Sequence, residues 1–217
     1  LFPLHGWLPK ATVAPTPVTA LLHAVAVVKS GAFAVMRLTY YCFGTELIRG
    51  TWVHFVVMSI AMLSILYGST MAVKETHFKR RLAFSTVSNL SYILLGVTMM
   101  SPQGLLAGMA HLVFHAFMKI GAFFCAAKKM PFVFTTFVVF GLSLIGIPAF
   151  AGFISKWNIA ASAMELGNEY PFAYGAVAVL LYSALMTAVY VLTVAVRAWF
   201  PDQGSVGESK EEITDPN

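Results

Sequence analysis

Charge is what this sequence has least of. Only 11% of its 217 residues are Asp, Glu, Lys or Arg, where soluble domains carry roughly a quarter, and that shortage excludes an ordinary solvated globule. Carboxylates are absent at the depth of the buried bases discussed below. Cysteine is also scarce: Cys42 and Cys125 both fall in apolar runs, without the spacing of a metal site or a disulfide framework, and are read as small buried hydrophobes. The formal net charge of +5 and pI near 9.3 could point to a polyanion. The bases, however, lie between apolar runs and not on one face, which excludes nucleic acid as a partner. The chain starts at Leu1 with neither an initiator Met nor a charged stretch before the first apolar run, so no signal peptide is visible. It is taken as a fragment.

What the sequence has is apolar length. Hydrophobic residues make up 59% of it and its mean hydropathy is +0.78, which defines an all-α, polytopic integral membrane protein. Residues 1–14 carry Pro3, Gly6 and Pro9 among aromatics, as the end of an interrupted helix would. The first full span begins at Thr16 and Pro17, a helix-start pair, and runs apolar to Phe43. Further runs cover residues 52–72, 82–100, 102–127, 132–166 and 171–200. That gives about six spans, each reaching the ~20 residues a bilayer requires. The fifth is too long for one straight helix, and Gly146, Pro148 and Gly152 are expected to break it around residues 148–152. Broken helices persist in membranes where the freed backbone lines a polar cavity.

Loop bases set the orientation. Lys10, Lys74, Lys79, Arg80, Arg81, Lys128, Lys129, Arg197 and Lys210 fall on one side and Arg49 on the other, which places the former side, with the polar tail 201–217, in the cytoplasm. The tail's acidic, polar composition predicts disorder.

The ionisable residues inside the spans carry the functional argument. His111, His115 and Lys119 are spaced four apart and advance about 40° per step, forming one stripe on a helix. One charge at a bilayer centre costs at least ~2.5–3.5 kcal/mol. Histidine titrates near neutrality and a desolvated lysine can exchange protons with a neighbour, so the stripe reads as a proton relay. The alternatives are interhelical hydrogen bonding with Lys119 reaching to the surface, and a haem site, which would draw its axial histidines from facing helices. Lys29 sits near mid-span, with His23 six residues earlier and about 120° around the helix. Its bland alternative is an ion pair or a carbonyl partner. Ser85, Ser88, Asn89 and Tyr92 form a second stripe, read either as interhelical bonding or as water-ordering groups along a proton path. Lys156 follows the expected break, where water and unwound backbone could meet it, or lies at the interface.

Several long motifs resemble one family. They are Leu4-His5-Gly6-Trp7-Leu8-Pro9-Lys10, Ala14-Pro15-Thr16-Pro17 running on to His23, Lys29-Ser30-Gly31-Ala32-Phe33 with Arg37, and the segment from Phe78 to Tyr92. His111, His115 and Lys119, Lys129-Met130-Pro131, and Gly146-Ile147-Pro148 leading to Gly152 and Ser155-Lys156 follow in the same order. Together they resemble the antiporter-like proton-translocating subunits of respiratory complex I, membrane-bound hydrogenases and multisubunit Mrp-type cation/proton antiporters, over about residues 1–200.

The resemblance implies an inverted-repeat fold of two five-helix repeats, each with one broken helix. Residues 16–43 would be the last helix of the first repeat and residues 52–200 the second repeat. It further implies a proton relay of Lys29, His111, His115, Lys119 and Lys156, supported by His23, Ser88, Asn89, Tyr92, Pro148 and Gly152. No cofactor or metal is expected. Partners would be the other membrane subunits of a redox-driven complex of NADH:quinone oxidoreductase or hydrogenase type, the lipid bilayer, and protons, with Na+ as the cargo of the cation/proton antiporter alternative. A non-conducting helix bundle is the second alternative. The expected location is the bacterial or archaeal cytoplasmic membrane. The family's upstream glutamate and broken-helix lysine would precede Leu1, so this fragment is expected not to pump alone. Lys10 stands where many members carry an acid. The connection 126–131 is shorter than the family's usual loop, which implies a deletion or a missing segment.

Overall fold

A computed structural model describes residues 3–13, 15–126 and 131–199. The expectations for Lys128, Lys129, Lys210 and the tail 201–217 lie outside the described residues, as does most of the connection 126–131. Among the described residues the chain is helical, without strands.

The N-terminal stretch is a succession of short turns, with α1 (Trp7–Lys10) between two 3-10 segments, as its Pro and Gly content implies. Next comes the first span, Pro17–Phe43, which the structure shows to carry an interruption that the sequence does not mark. α2 (Thr16–Ala24) ends at Val25, α3 (Val27–Arg37) begins after Ala26, and a π-helical turn (Leu38–Phe43) follows. The N–H groups of Val25 and Ala26 both donate to the carbonyl of Leu21, at 3.1 and 3.0 Å. That i→i−5 bond is a π-type interruption, and neither Gly nor Pro stands at the break to announce it. α4 (Thr45–Ile48) is a short turn leading to α5 (Trp52–Lys74), whose N-terminus is capped by Thr51.

α6 (Phe78–Thr98), α7 (Pro102–Ala126), α8 (Pro131–Ile145), α9 (Ala151–Glu169) and α10 (Tyr174–Trp199) complete the bundle. Among the described residues, four helical stretches are long and apolar enough to cross a membrane: Pro17–Phe43, Trp52–Lys74, Pro102–Ala122 and Pro171–Val196. α6 is long enough but carries Lys79, Arg80 and Arg81 together with a row of buried Ser and Asn. α8 and α9 are the two halves of the fifth run, which breaks as expected but at residues 146–150, slightly before the expected 148–152, with Pro148 in the break and Gly152 in the first turn of α9.

Lipid tails are as apolar as leucine, so helices in a membrane associate through close packing and polar links. Gly96 on α6 and Gly104 on α7 meet backbone to backbone; a Cβ on Gly104 would stand 2.7 Å from the Gly96 carbonyl. α5 and α10 are joined through Ser69 with Ser183 and Thr70 with Tyr182. A core of Met58, Ile65, Tyr92, Leu95, Ile159 and Leu166 fills the space between α5, α6 and α9. Leu181, Leu185, Leu192 and Val196 are exposed on α10, an apolar face suited to lipid.

Two glycines make the break possible. Gly146 has φ +88°, the left-handed conformation of a helix C-terminus. Gly152 lets the start of α9 rest against α8: an added Cβ would lie 1.9 Å from the Ser143 carbonyl oxygen. Gly152→Ala should therefore destabilise the protein by about 1–3 kcal/mol, read as a lower thermal midpoint of the purified assembly; an unchanged midpoint would show that α8 and α9 can separate freely.

Candidate functional site

The apolar run of α7 presents its ionisable stripe to the bundle interior. His111, His115 and Lys119 are all buried, as are Lys29 and Lys156. Lys119 is 0% exposed and its Nζ donates to the Leu82 carbonyl of α6 at 2.8 Å, so it does not reach for the surface. Lys29, on α3, donates from Nζ to the Leu112 carbonyl at 2.8 Å and stands 2.8 Å from His115 Nδ1. The sequence stripe thus acquires a partner from a different helix.

The rings of His115 and His111 lie nearly parallel, 9° apart, with centroids separated by 6.0 Å. His111 then meets Tyr92 edge-on at 5.4 Å, and the other face of the arrangement is the Lys156 Nζ, 5.1 Å from the Tyr92 ring centre. The contacts therefore run Lys29, His115, His111, Tyr92, Lys156, while Lys119, one turn beyond His115 on α7, bonds the Leu82 carbonyl. Lys156 is held by the break itself, because its Nζ donates to the Leu144 and Ile145 carbonyls at 2.6 and 3.1 Å. These lie in the last turn of α8, where carbonyls lack intrahelical donors and the helix dipole attracts a cation.

The second stripe divides. Asn89 offers Oδ1 to His111 Nε2 at 3.2 Å, and Tyr92 donates its hydroxyl to Ser183 Oγ. Ser88 merely bonds the Ser85 carbonyl of its own helix at 3.0 Å. His23 is fully buried on α2, two residues before the π-type interruption, on a helix that packs against α7.

Three further residues enter the site without having been singled out in the sequence. Ser155 Oγ lies 2.8 Å from His111 Nδ1; it is part of the motif ending at Lys156, where the lysine draws the eye. Ser183 receives the Tyr92 hydroxyl, and Tyr190 bonds Ser85 at 2.5 Å. The i, i+4, i+7 spacing of Ser183, Thr187 and Tyr190 was the available signal. His54, also buried, accepts the Gly50 N–H at Nδ1 and bonds the Thr98 carbonyl through Nε2, and so serves as a saturated link at the far end of the bundle. Among the described residues no group of His, Cys, Asp or Glu is arranged to hold a metal. The ion pair there, Arg49 with Glu169, is at the surface.

Residues 1–129 and 127–182 match the family described as NADH:quinone oxidoreductase/Mrp antiporter, TM. The chain belongs to this family. The two matched stretches meet at residues 127–129, where the connection was expected to be short. NADH-quinone oxidoreductase subunit N of Desulforudis audaxviator is 36% identical over 236 aligned residues, covering 100% of this chain and 46% of that protein. NADH-quinone oxidoreductase subunit L of Rickettsia bellii is 31% identical over 209, covering 88% and 30%. The chain therefore spans half or less of the length of these relatives. Among solved structures, a chain of respiratory complex I from Thermus thermophilus shares the fold with a TM-score of 0.76 at 24% identity, over 98% of this chain and 49% of that one. A chain of an archaeal membrane-bound sulfane sulfur reductase gives 0.76 at 26%, over 95% and 38%. The all-α antiporter-like membrane fold follows.

Asn89 is the anchor of His111 that can be tested alone. Its Nδ2 donates to the Ser85 carbonyl at 2.7 Å, so Oδ1 must face the histidine. Asn89→Leu should leave a buried N–H without its acceptor and lower stability by about 1–3 kcal/mol, measured as a fall in thermal midpoint, while Asn89→Asp keeps an acceptor and should lose less.

Proposed function

We propose that this chain is the proton-conducting portion of an antiporter-like membrane subunit, with Lys29, His115, His111 and Lys156 as successive proton-holding groups and Lys119 as a side branch. The observation that carries this reading is the 2.8 Å contact between Lys29 Nζ and His115 Nδ1. One group must give and the other accept, so two bases on different helices share a proton without an intervening molecule. A helix bundle that needed only polar glue would gain nothing from setting an amine against an imidazole, since both are cationic when protonated. Pro148 and Gly152 take the supporting role of shaping the break that holds Lys156.

In this reading residues 16–43 close a first repeat and residues 52–200 form a second. The base-rich loops and the tail face the cytoplasm of a bacterial or archaeal cell, and other membrane subunits supply the driving force from redox chemistry. The names of the similar proteins, subunits of NADH-quinone oxidoreductases, favour that source. Exchange of Na+ for protons is the rival within the family, and the genes flanking this one would separate the two: oxidoreductase subunits for the first, small antiporter subunits for the second.

The test is transport by the assembled complex in proteoliposomes. Lys29→Ala should lower proton translocation about a hundredfold, the scale of one acid/base group, while assembly persists; Lys119→Ala should lower it clearly. Wild-type translocation with both lysines removed would sink the relay.

A further inference from the structure

His111 uses both ring nitrogens, and the two partners differ in kind. Asn89 Oδ1 can only accept, so Nε2 carries the hydrogen and Nδ1 carries the lone pair of the neutral ring. Ser155 has one hydroxyl hydrogen and two acceptors within reach: His111 Nδ1 at 2.8 Å and the Gly152 carbonyl at 3.2 Å. With the ring neutral, Ser155 donates to Nδ1. When Nδ1 takes a proton, the hydroxyl turns to the Gly152 carbonyl and accepts from Nδ1 instead. Ser155 thus satisfies both protonation states by a single rotation, whereas Asn89 stays fixed.

Ser155 also lines a cleft of about 140 Å³ between α7 and α9. The cleft starts at Gln103, in the first turn of α7, and follows that helix past Ala107 and Ala110 to Phe114. Gln103 and Asn158 hydrogen-bond across it at 3.3 Å. It has room for several waters, with Gln103 and Asn158 at one end, Ser155 further in, and Leu106, Ile154 and Phe114 among its apolar walls. The larger cleft nearby, about 310 Å³, is walled by Phe114, Phe117, Phe140 and Phe150 and touches none of the ionisable residues.

We propose that Ser155 is the port of His111: the proton enters and leaves Nδ1 through the Ser155 hydroxyl, exchanging with water in the cleft between α7 and α9. The step is balanced: a hydronium in the cleft hands one proton to the Ser155 oxygen and becomes water as the hydroxyl hands its own proton to Nδ1, and in reverse Nδ1 returns a proton through the hydroxyl to a water, which leaves as hydronium. This deepens the relay reading and rests on it.

The experiment uses the assembled complex in proteoliposomes. Ser155→Ala should slow proton translocation roughly tenfold to a hundredfold and raise its solvent deuterium isotope effect, while Ser155→Thr, which keeps the hydroxyl, restores both. In a background with Cys42→Ser and Cys125→Ser, Ala110→Cys should react with a membrane-impermeant cationic thiol reagent added on the side where Gln103 lies, and not from the other. Ala107→Cys replaces it if that variant fails to assemble. A wild-type rate and isotope effect in Ser155→Ala, or no labelling from the Gln103 side, overturns the port. If Lys29→Ala abolishes translocation in the same preparation, only the port has failed; if it does not, the relay reading has failed with it.

Discussion

Inside hydrocarbon an unpartnered polar atom is costly, and in this bundle the buried Lys29, Lys119 and Lys156 find carbonyl groups. Lys119 has Leu82, Lys29 has Leu112, and Lys156 has Leu144 and Ile145. A carboxylate partner would favour the charged lysine strongly. A carbonyl carries only a partial charge, so it holds the side chain in place while favouring the ammonium less strongly than a carboxylate would. Most of the architecture follows from supplying those carbonyls. α8 stops at Ile145 so that its last turn has some to give, and α6 and α7 press together so that Leu82 comes within reach of Lys119.

The two interruptions of the helices do different work. At residues 146–150 the chain leaves the helix altogether, and the freed carbonyls are taken by a cation that arrives less than two turns later on α9. Ala149, with φ +87°, adds a strained residue to that segment. At residues 25 and 26 the helix merely slips by one residue, which changes the direction in which α3 presents Lys29. Its ammonium then points at α7, between Leu112 and His115. Without the slip, Lys29 would keep the angular offset from His23 that an unbroken helix dictates.

Much of the fold was legible in the sequence because membrane solvation leaves few choices. Apolar length marks the spans, and Gly146 with Pro148 marks the break, since each acts through local backbone chemistry. The slip in the first span was not legible, because Val25 and Ala26 are ordinary helix residues and the deviation is fixed by what packs around them. The site was legible as a set of ionisable residues, but its order was not. The stripe of His111, His115 and Lys119 reads along one helix, yet the contacts that matter run between helices, from α3 to α7 and from α7 to α9. Ser155, Ser183 and Tyr190 were overlooked because a hydroxyl in an apolar run usually bonds its own helix, as Ser88, Ser64 and Thr86 do here.

The distance between the two histidines constrains the proposed relay. Rings stacked at 6.0 Å do not share a hydrogen bond. His115 has Nδ1 engaged by Lys29, while its Nε2 is buried without a hydrogen-bond partner among the described residues. His111 has both nitrogens occupied, by Asn89 and Ser155. In the proposed relay a proton on His115 would not pass on through the existing bonds; His111 would first release Ser155 or Asn89, or a water would enter beside His115 Nε2. Of these, the Ser155 bond is the easiest to surrender, since the Gly152 carbonyl stands ready to replace it. A continuous wire would leak protons down their gradient regardless of the complex's state. In the proposed relay the Ser155 hydroxyl would have to rotate before the next contact could form, and Ser155 stands on α9, the helix that the break at residues 146–150 separates from α8.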